Sequence, residues 1–261
     1  MRTHVSPANP GAPRETAASA CIHSLREAIL SGEFPAGARL PAERDLAERL
    51  GVTRLTVRTA LAQLGAEHLL SVRQGSGYTV RDYLRSGGLD LVVSLASLAS
   101  TRGEQHAIIR DLLLVRRQLA RAMLERLIEV ADDAALVAID AAIERLAAVV
   151  AAAPSPSIDE LARADLDVVA TLALATRSPV LQLCFNPVAA LTVQLPHLQK
   201  AMYREPESNV DAYRALAALI RARSAASIEM MIDQLRERDD ATVAAIVDTG
   251  STRPSERKTP P

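Results

Sequence analysis

The apolar positions in residues 40–64, LPAERDLAERLGVTRLTVRTALAQL, fall on two short stripes. Ala42, Leu46, Ala47 and Leu50 are spaced as one face of a helix, with Pro41 suited to the helix start. Gly51 can take a positive φ and ends that helix. Thr53 is then a suitable N-cap, and Val57, Ala60, Leu61 and Leu64 recur at i, i+3, i+4 and i+7, a second face that must be buried. Thr53, Arg54, Thr56 and Arg58 stand off that face. Two helices on a tight turn, the second carrying Arg and Thr outward, form the pattern of a helix-turn-helix whose second helix enters a DNA groove. A solvated helical hairpin in an all-α domain gives the same spacing and competes with it.

The flanking pattern extends the motif. Ile22, Leu25, Ile29 and Leu30 predict an amphipathic helix over 21–31, and EFPAGARL is a Pro and Gly turn leading into the pair. Residues 69–73 and 78–80 are β-prone runs separated by Gly75, Ser76 and Gly77, a hairpin signal. Three helices followed by a hairpin make a winged helix. DYLRSGGLDL, with Gly87 and Gly88, is a natural boundary. Beyond it the periodicity predicts helices at 110–128, 132–150, 158–176, 180–203, 211–223 and 226–247, with Pro179, Pro187, Pro196 and Pro206 marking ends or kinks. In the first of these, Leu112, Val115, Leu119, Met123 and Leu127 line one side. The expected fold is mostly α: an N-terminal winged helix-turn-helix with a small β-wing, then a C-terminal antiparallel bundle of six to seven helices. The expected layout is a disordered tail at 1–13, a winged helix at 14–82, a linker at 83–90, a helical domain at 91–248 and a disordered tail at 249–261.

Composition changes this picture little. A hydrophobic content of 49% supports a substantial core, and aromatics at 2% leave Leu, Ala and Val to build it. The net charge of -1 does not announce nucleic-acid binding, but residues 1–82 hold 10 Arg against 8 acidic residues, leaving 20 basic against 23 acidic for the remainder. Every cation in residues 1–82 is Arg, which favours bidentate contacts to phosphate and guanine. Cys21 and Cys184 have no metal spacing and are expected as small core residues of a cytoplasmic protein. The N-terminus lacks an apolar signal region, and no run reaches the ~18 apolar residues of a membrane span.

GEFPAGARLPAERDLAERLGVTRLTVRTALAQL followed by VRQGSGYTV closely resembles the DNA-binding domain of GntR-type bacterial transcription regulators, over about residues 17–82. The resemblance implies that Arg44, Arg54 and Arg58 contact phosphates or bases, that Thr53 and Thr56 assist, and that Gln74 and Gly75 lie at a wing tip reaching the minor groove. Leu55 stands where a fatty-acid-responsive member has Thr, and Gln74 where it has His, which leaves the operator sequence open.

SGGLDL, LLLVRRQL and ADLDVVATLALATRSPVLQL resemble the helical effector domain of the FadR subgroup. That resemblance implies a small-molecule effector in the bundle, a homodimer, and paired winged helices on a palindromic double-stranded operator, with DYLRSGGLDL as hinge. Many members hold a divalent metal through one Asp and three His. Asp165 matches the Asp, whereas Val169, Tyr213 and Gln234 fall at the His positions, so no metal and no cofactor are expected, and Asp165 is expected as a solvated or capping residue. The five His, His4, His23, His68, His106 and His197, form no pair at helical spacing and are expected as structural or exposed. Arg116 falls where members direct an Arg into the cavity and is the candidate for an anionic ligand group, with a surface Arg beside Arg117 as the alternative. Arg116, Asp165 and Tyr213 are thus the candidate effector-binding residues. The Gly, Ser and Trp that an acyl-CoA sensor uses align with about Leu235, Arg238 and Thr242, so acyl-CoA, another lipid and an organic acid all stay open. An enzyme is not expected: the chain shows no Gly-rich phosphate loop or nucleophile constellation, and its only lysines are Lys200 and Lys258. An architectural DNA-binding protein or repressor without an effector is the remaining alternative.

Overall fold

The structure, a computed structural model, describes residues 16–73 and 77–249, and the chain divides into two compact units on either side of Ser94 and Leu95. Both expected tails, and the wing-tip residues Gln74 and Gly75, lie outside the described residues.

In the first unit, α1 (Ala17–Leu30), α2 (Glu43–Leu50) and α3 (Arg54–Ala66) precede β1 (Leu70–Arg73) and β2 (Gly77–Val80). Each boundary has a local cause. Thr16 accepts from the Ser19 amide at 3.1 Å and starts α1 four residues before the periodicity does. Gly51 ends α2 at φ 64°, a left-handed conformation for which glycine has no Cβ penalty. Thr53 caps α3 by accepting from the Thr56 amide at 3.1 Å. Val57, Ala60, Leu61 and Leu64 are completely buried against α1 and α2, as their spacing requires. Arg26 of α1 donates from Nε and Nη2 to Glu67, at 3.0 and 2.7 Å, a bidentate clasp across the α1–α3 packing.

β1 and β2 pair antiparallel, Leu70 opposite Val80 and Val72 opposite Tyr78. The Pro and Gly turn runs along β2: the Leu40 amide donates to Tyr78 O at 3.0 Å and the Gly37 amide to Val80 O at 2.9 Å. Residues 83–90, expected as a linker, carry a helical turn, α4 (Tyr83–Ser86), capped by Asp82, and a 3₁₀ turn follows at Leu89–Leu91.

After α5 (Val92–Leu98), which spans the division, the second unit contains α6 (Arg102–Val130), α7 (Asp133–Val150), α8 (Ile158–Ala175), α9 (Pro179–Gln194), α10 (Pro196–Met202), α11 (Pro206–Ala222) and α12 (Ile228–Thr249). Helix α6 packs against α8, α9, α11 and α12, and α7 packs against α8 and α11. The core is Leu, Ile, Ala and Val with Met123 and Phe185, in keeping with the scarcity of aromatics.

Helix α6 starts at Arg102 rather than at 110, because Thr101 and Glu104 form a capping box ahead of the apolar stripe. Val115 is 40% exposed, while Ile109, Leu112, Leu113 and Leu124 are buried: helices on both sides of α6 broaden and rotate its buried face. The single helix expected over 180–203 is two, since Pro196 cannot donate an amide and begins α10. Pro187, by contrast, is accommodated within α9. Cys21 is a core residue, but Cys184, in the second turn of α9, is exposed although it shares a helix face with the buried Val188 and Leu191.

Candidate nucleic-acid interface and bundle cavity

The sequence-predicted DNA residues that the structure describes lie on α2, on α3 and at the α3 cap. Arg44 lies in the first turn of α2, and Arg54, Thr56 and Arg58 lie in the first turn and a half of α3 behind the cap Thr53. Arg54 is exposed and makes no side-chain bond among the described residues. Arg44 donates from Nε to Asp45 at 3.1 Å. The Arg58 side chain is 67% exposed, yet its Nε lies 3.3 Å and its Nη2 2.9 Å from Oε2 of Glu43, whose side chain is 27% exposed. The Thr53 and Thr56 hydroxyls are 2.9 Å apart, so the Thr53 oxygen is already engaged by the cap. Leu55 is 72% exposed in the same turn.

The second unit holds a cavity of about 660 Å³ between α6, α8, α9, α11 and α12. Its apolar wall includes Met123, Leu124, Leu127, Leu172, Phe185 and Ile232. Its polar residues form bonded groups. Arg116 and Arg117 both pair with Asp239, Arg117 through Nη1 at 2.8 Å, and the Asp239 side chain is 4% exposed. Arg116 Nε is buried with no hydrogen-bond partner among the described residues. Arg238 donates to Ser208 O at 3.0 Å and also to Asn209 Oδ1.

Asp165, expected as solvated or capping, is instead buried on the inward face of α8. Its Oδ1 accepts from the Tyr213 hydroxyl at 3.0 Å and its Oδ2 from the Tyr203 hydroxyl at 3.1 Å. Burial pushes the Asp165 carboxyl above its ordinary value, against the pull of the two hydroxyl bonds and of Arg116 and Arg238. Burial and the neighbouring Asp165 charge likewise raise both phenols, which stay protonated and act as donors.

The three effector candidates, Arg116, Asp165 and Tyr213, therefore line one cavity. Arg116 is a half-buried member of an ion-pair cluster rather than a free surface Arg. Arg238, Asn209 and Asp239 also line the cavity, and Tyr203 joins it only through Asp165; the sequence does not single these four out as ligand-binding groups. The signal for Tyr203 is rarity: two of the chain's 4 Tyr converge on one carboxyl. Val169, Tyr213 and Gln234, which the sequence resemblance sets at the expected His positions, all line this cavity together with Asp165. The donor set does not fit a transition metal: both Asp165 oxygens accept from tyrosines, and no imidazole or thiolate is among the lining residues.

A winged helix-turn-helix followed by a separate helical bundle with a cavity among its helices defines the class of the molecule. Residues 17–80 match the family described as bacterial regulatory proteins, gntR family, and residues 111–238 match the FCD domain. The chain belongs to the GntR family and carries an FCD domain as its second unit. It is 55% identical over 67 residues to the HTH-type transcriptional regulator Mce2R of Mycobacterium tuberculosis, a match covering 26% of this chain and 28% of that protein. It is 32% identical over 169 residues to the fatty acid metabolism regulator protein of Edwardsiella ictaluri, covering 64% of this chain and 65% of that protein. In each of these matches the chain spans less than two thirds of its relative. The solved structure of Lar, which controls expression of the Listeria monocytogenes agr system, shares the fold at a TM-score of 0.56 and 15% identity, over 91% of this chain and 99% of that one. Among the described residues no helix is long and apolar enough to cross a membrane.

Proposed function

We propose that the chain is a cytoplasmic, nucleoid-associated and non-enzymatic transcription regulator. In this reading it binds a palindromic double-stranded operator as a homodimer and responds to a small organic anion in the bundle cavity. The observation that carries it is the coexistence of two sites: an arginine-bearing α3 face and a mostly apolar cavity with an arginine cluster. Arg44, Arg54 and Arg58 supply phosphate and guanine contacts, and Thr53 and Thr56 shape the start of α3. Two identical readers need half-sites about one helical turn apart, which a symmetric dimer provides.

In the cavity, Arg116 supplies a charge and an unpaired donor for a carboxylate or phosphate, and Tyr213 and Asp165 shape the polar end. The apolar wall accepts a hydrocarbon portion. A lipid or an organic acid meets this description, and so does the acyl end of an acyl-CoA. The ligand changes operator affinity only by binding the competent and incompetent geometries unequally.

The test is selection of an operator from random duplexes, then gel shifts with and without a panel of fatty acids, acyl-CoAs and short carboxylates. Sequence-specific retention that one class of anion alters is the expected result. Retention that no member of the panel alters points to the effector-free regulator, and absence of any selected sequence overturns the reading.

A further inference from the structure

The least expected feature of the α3 face is that one of its exposed arginines, Arg58, is held by an acid. Glu43 opens α2, Arg58 lies in the second turn of α3, and the pairing joins the two helices of the motif. An ion pair this exposed adds little to a fold, because solvent screens it. It also sets a carboxylate beside the residue that a polyanion is to meet, which weakens phosphate binding.

The geometry gives the pair a different use. Glu43 engages the side of the guanidinium: its oxygens lie 3.3 and 3.4 Å from Nε, and one lies 2.9 Å from Nη2. That leaves the end of the fork, Nη1 and the second N–H of Nη2, without a partner among the described residues. Guanine presents two acceptors, N7 and O6, to such an end-on pair of donors. The carboxylate is the more recessed partner and the guanidinium the more exposed one, so the end of the fork faces outward.

We propose that Glu43 is a positioning residue that determines operator specificity. It fixes Arg58 side-on so that the end of its guanidinium meets one guanine in the major groove, and its own charge suppresses adhesion to phosphate at other sequences. This rests on the DNA-binding reading above. It explains why a DNA-facing turn carries Glu43, and Asp45 bears on Arg44 through Nε in the same side-on manner.

Glu43 also favours the α2 N-terminus through the helix dipole, so the experiment must separate the two roles. Glu43→Asp keeps a carboxylate at that terminus but withdraws it from Arg58 by one methylene; Glu43→Gln keeps the length and removes the charge. Operators are selected with the wild type, and affinities are measured for the selected duplex, for duplexes with each guanine replaced, and for random duplex, alongside thermal midpoints.

The expected result is that both variants lose about tenfold in discrimination at one guanine. Glu43→Gln in addition binds random duplex more tightly. Glu43→Asp leaves the thermal midpoint unchanged. In an Arg58→Ala background neither variant changes discrimination further, because the interaction has lost its second member. Unchanged discrimination at every guanine overturns the proposal, as does an equal gain in affinity for all duplexes, which assigns Glu43 to repulsion alone. A wild type that selects no sequence fails earlier, and removes the DNA-binding reading together with this one.

Discussion

Asp165 shows how one residue's neighbourhood decides its chemistry. Its ordinary carboxyl loses a proton near pH 3.9 or so when unfolded. Burial raises the folded value despite Tyr203, Tyr213, Arg116 and Arg238, so the folded chain keeps a proton that the unfolded chain has released. Stability therefore falls with rising pH from about 4 up to the raised folded value, and levels off beyond it. Asp165→Asn removes this slope. Urea midpoints of both proteins at several pH values between 4 and 7 (roughly the carboxylate window) should show the Asn variant gaining on the wild type as pH rises. A constant difference would mean that the carboxyl titrates normally in the fold.

Gly87 is a second case. The sequence suggests hinge freedom there, but its backbone is extended, and a Cβ would lie 2.5 Å from Leu91 Cδ1 and 2.8 Å from Tyr83 O. The glycine makes room for a close approach. Gly87→Ala should destabilise the first unit by about 1–3 kcal/mol, as overpacking does, read from the denaturant midpoint of the full chain. Cap and stripe residues such as Thr53 and Leu61 were legible because their cause is local. The acid behind Arg58 and the second tyrosine on Asp165 were not, since 15 and 38 residues of chain separate those partners.

Helix ends carry the information at the scale of elements. The α3 boundaries follow from spacing and caps, and the start of α10 follows from a proline once tertiary packing has chosen between a kink and a break. The end of α6 has a cause that no periodicity contains. Arg223, in left-handed conformation at the end of α11, donates from Nη1 to Ile128 O at 2.6 Å and from Nη2 to Ala131 O at 2.8 Å. A cation is thus set on the carbonyl end of the 29-residue α6. Arg223→Ala should lower stability by about 1–2 kcal/mol, whereas Arg223→Lys should recover only part of this because an ammonium lacks the fork that spans two carbonyls. Chemical denaturation of the three proteins checks the order. The donor set of the α8, α11 and α12 cavity wall leads to a related expectation: adding zinc or manganese, or a chelator, should leave the thermal midpoint within experimental error.

For the whole molecule, charge and linkage matter more than any single contact. A net charge of -1 coexists with an arginine-rich first unit because affinity for DNA depends on local counterion release. If the cavity ligand changes operator affinity by some factor, DNA must change ligand affinity by the same factor, and couplings of this kind are typically about 5- to 150-fold. Variants of the two sites should therefore fail in opposite ways. Arg58→Ala should lose the operator while binding the ligand as the DNA-free wild type does. Arg116→Ala should keep the operator and lose the response, because it removes the unpaired donor and unbalances Asp239, whose two arginine partners become one. The Arg116 variant is first checked for an intact fold by circular dichroism. Titration calorimetry of the ligand with and without operator, set beside operator binding with and without ligand, closes the cycle. Unequal factors would mean that the ligand acts somewhere other than on the geometry that reads DNA, for instance on the oligomeric state.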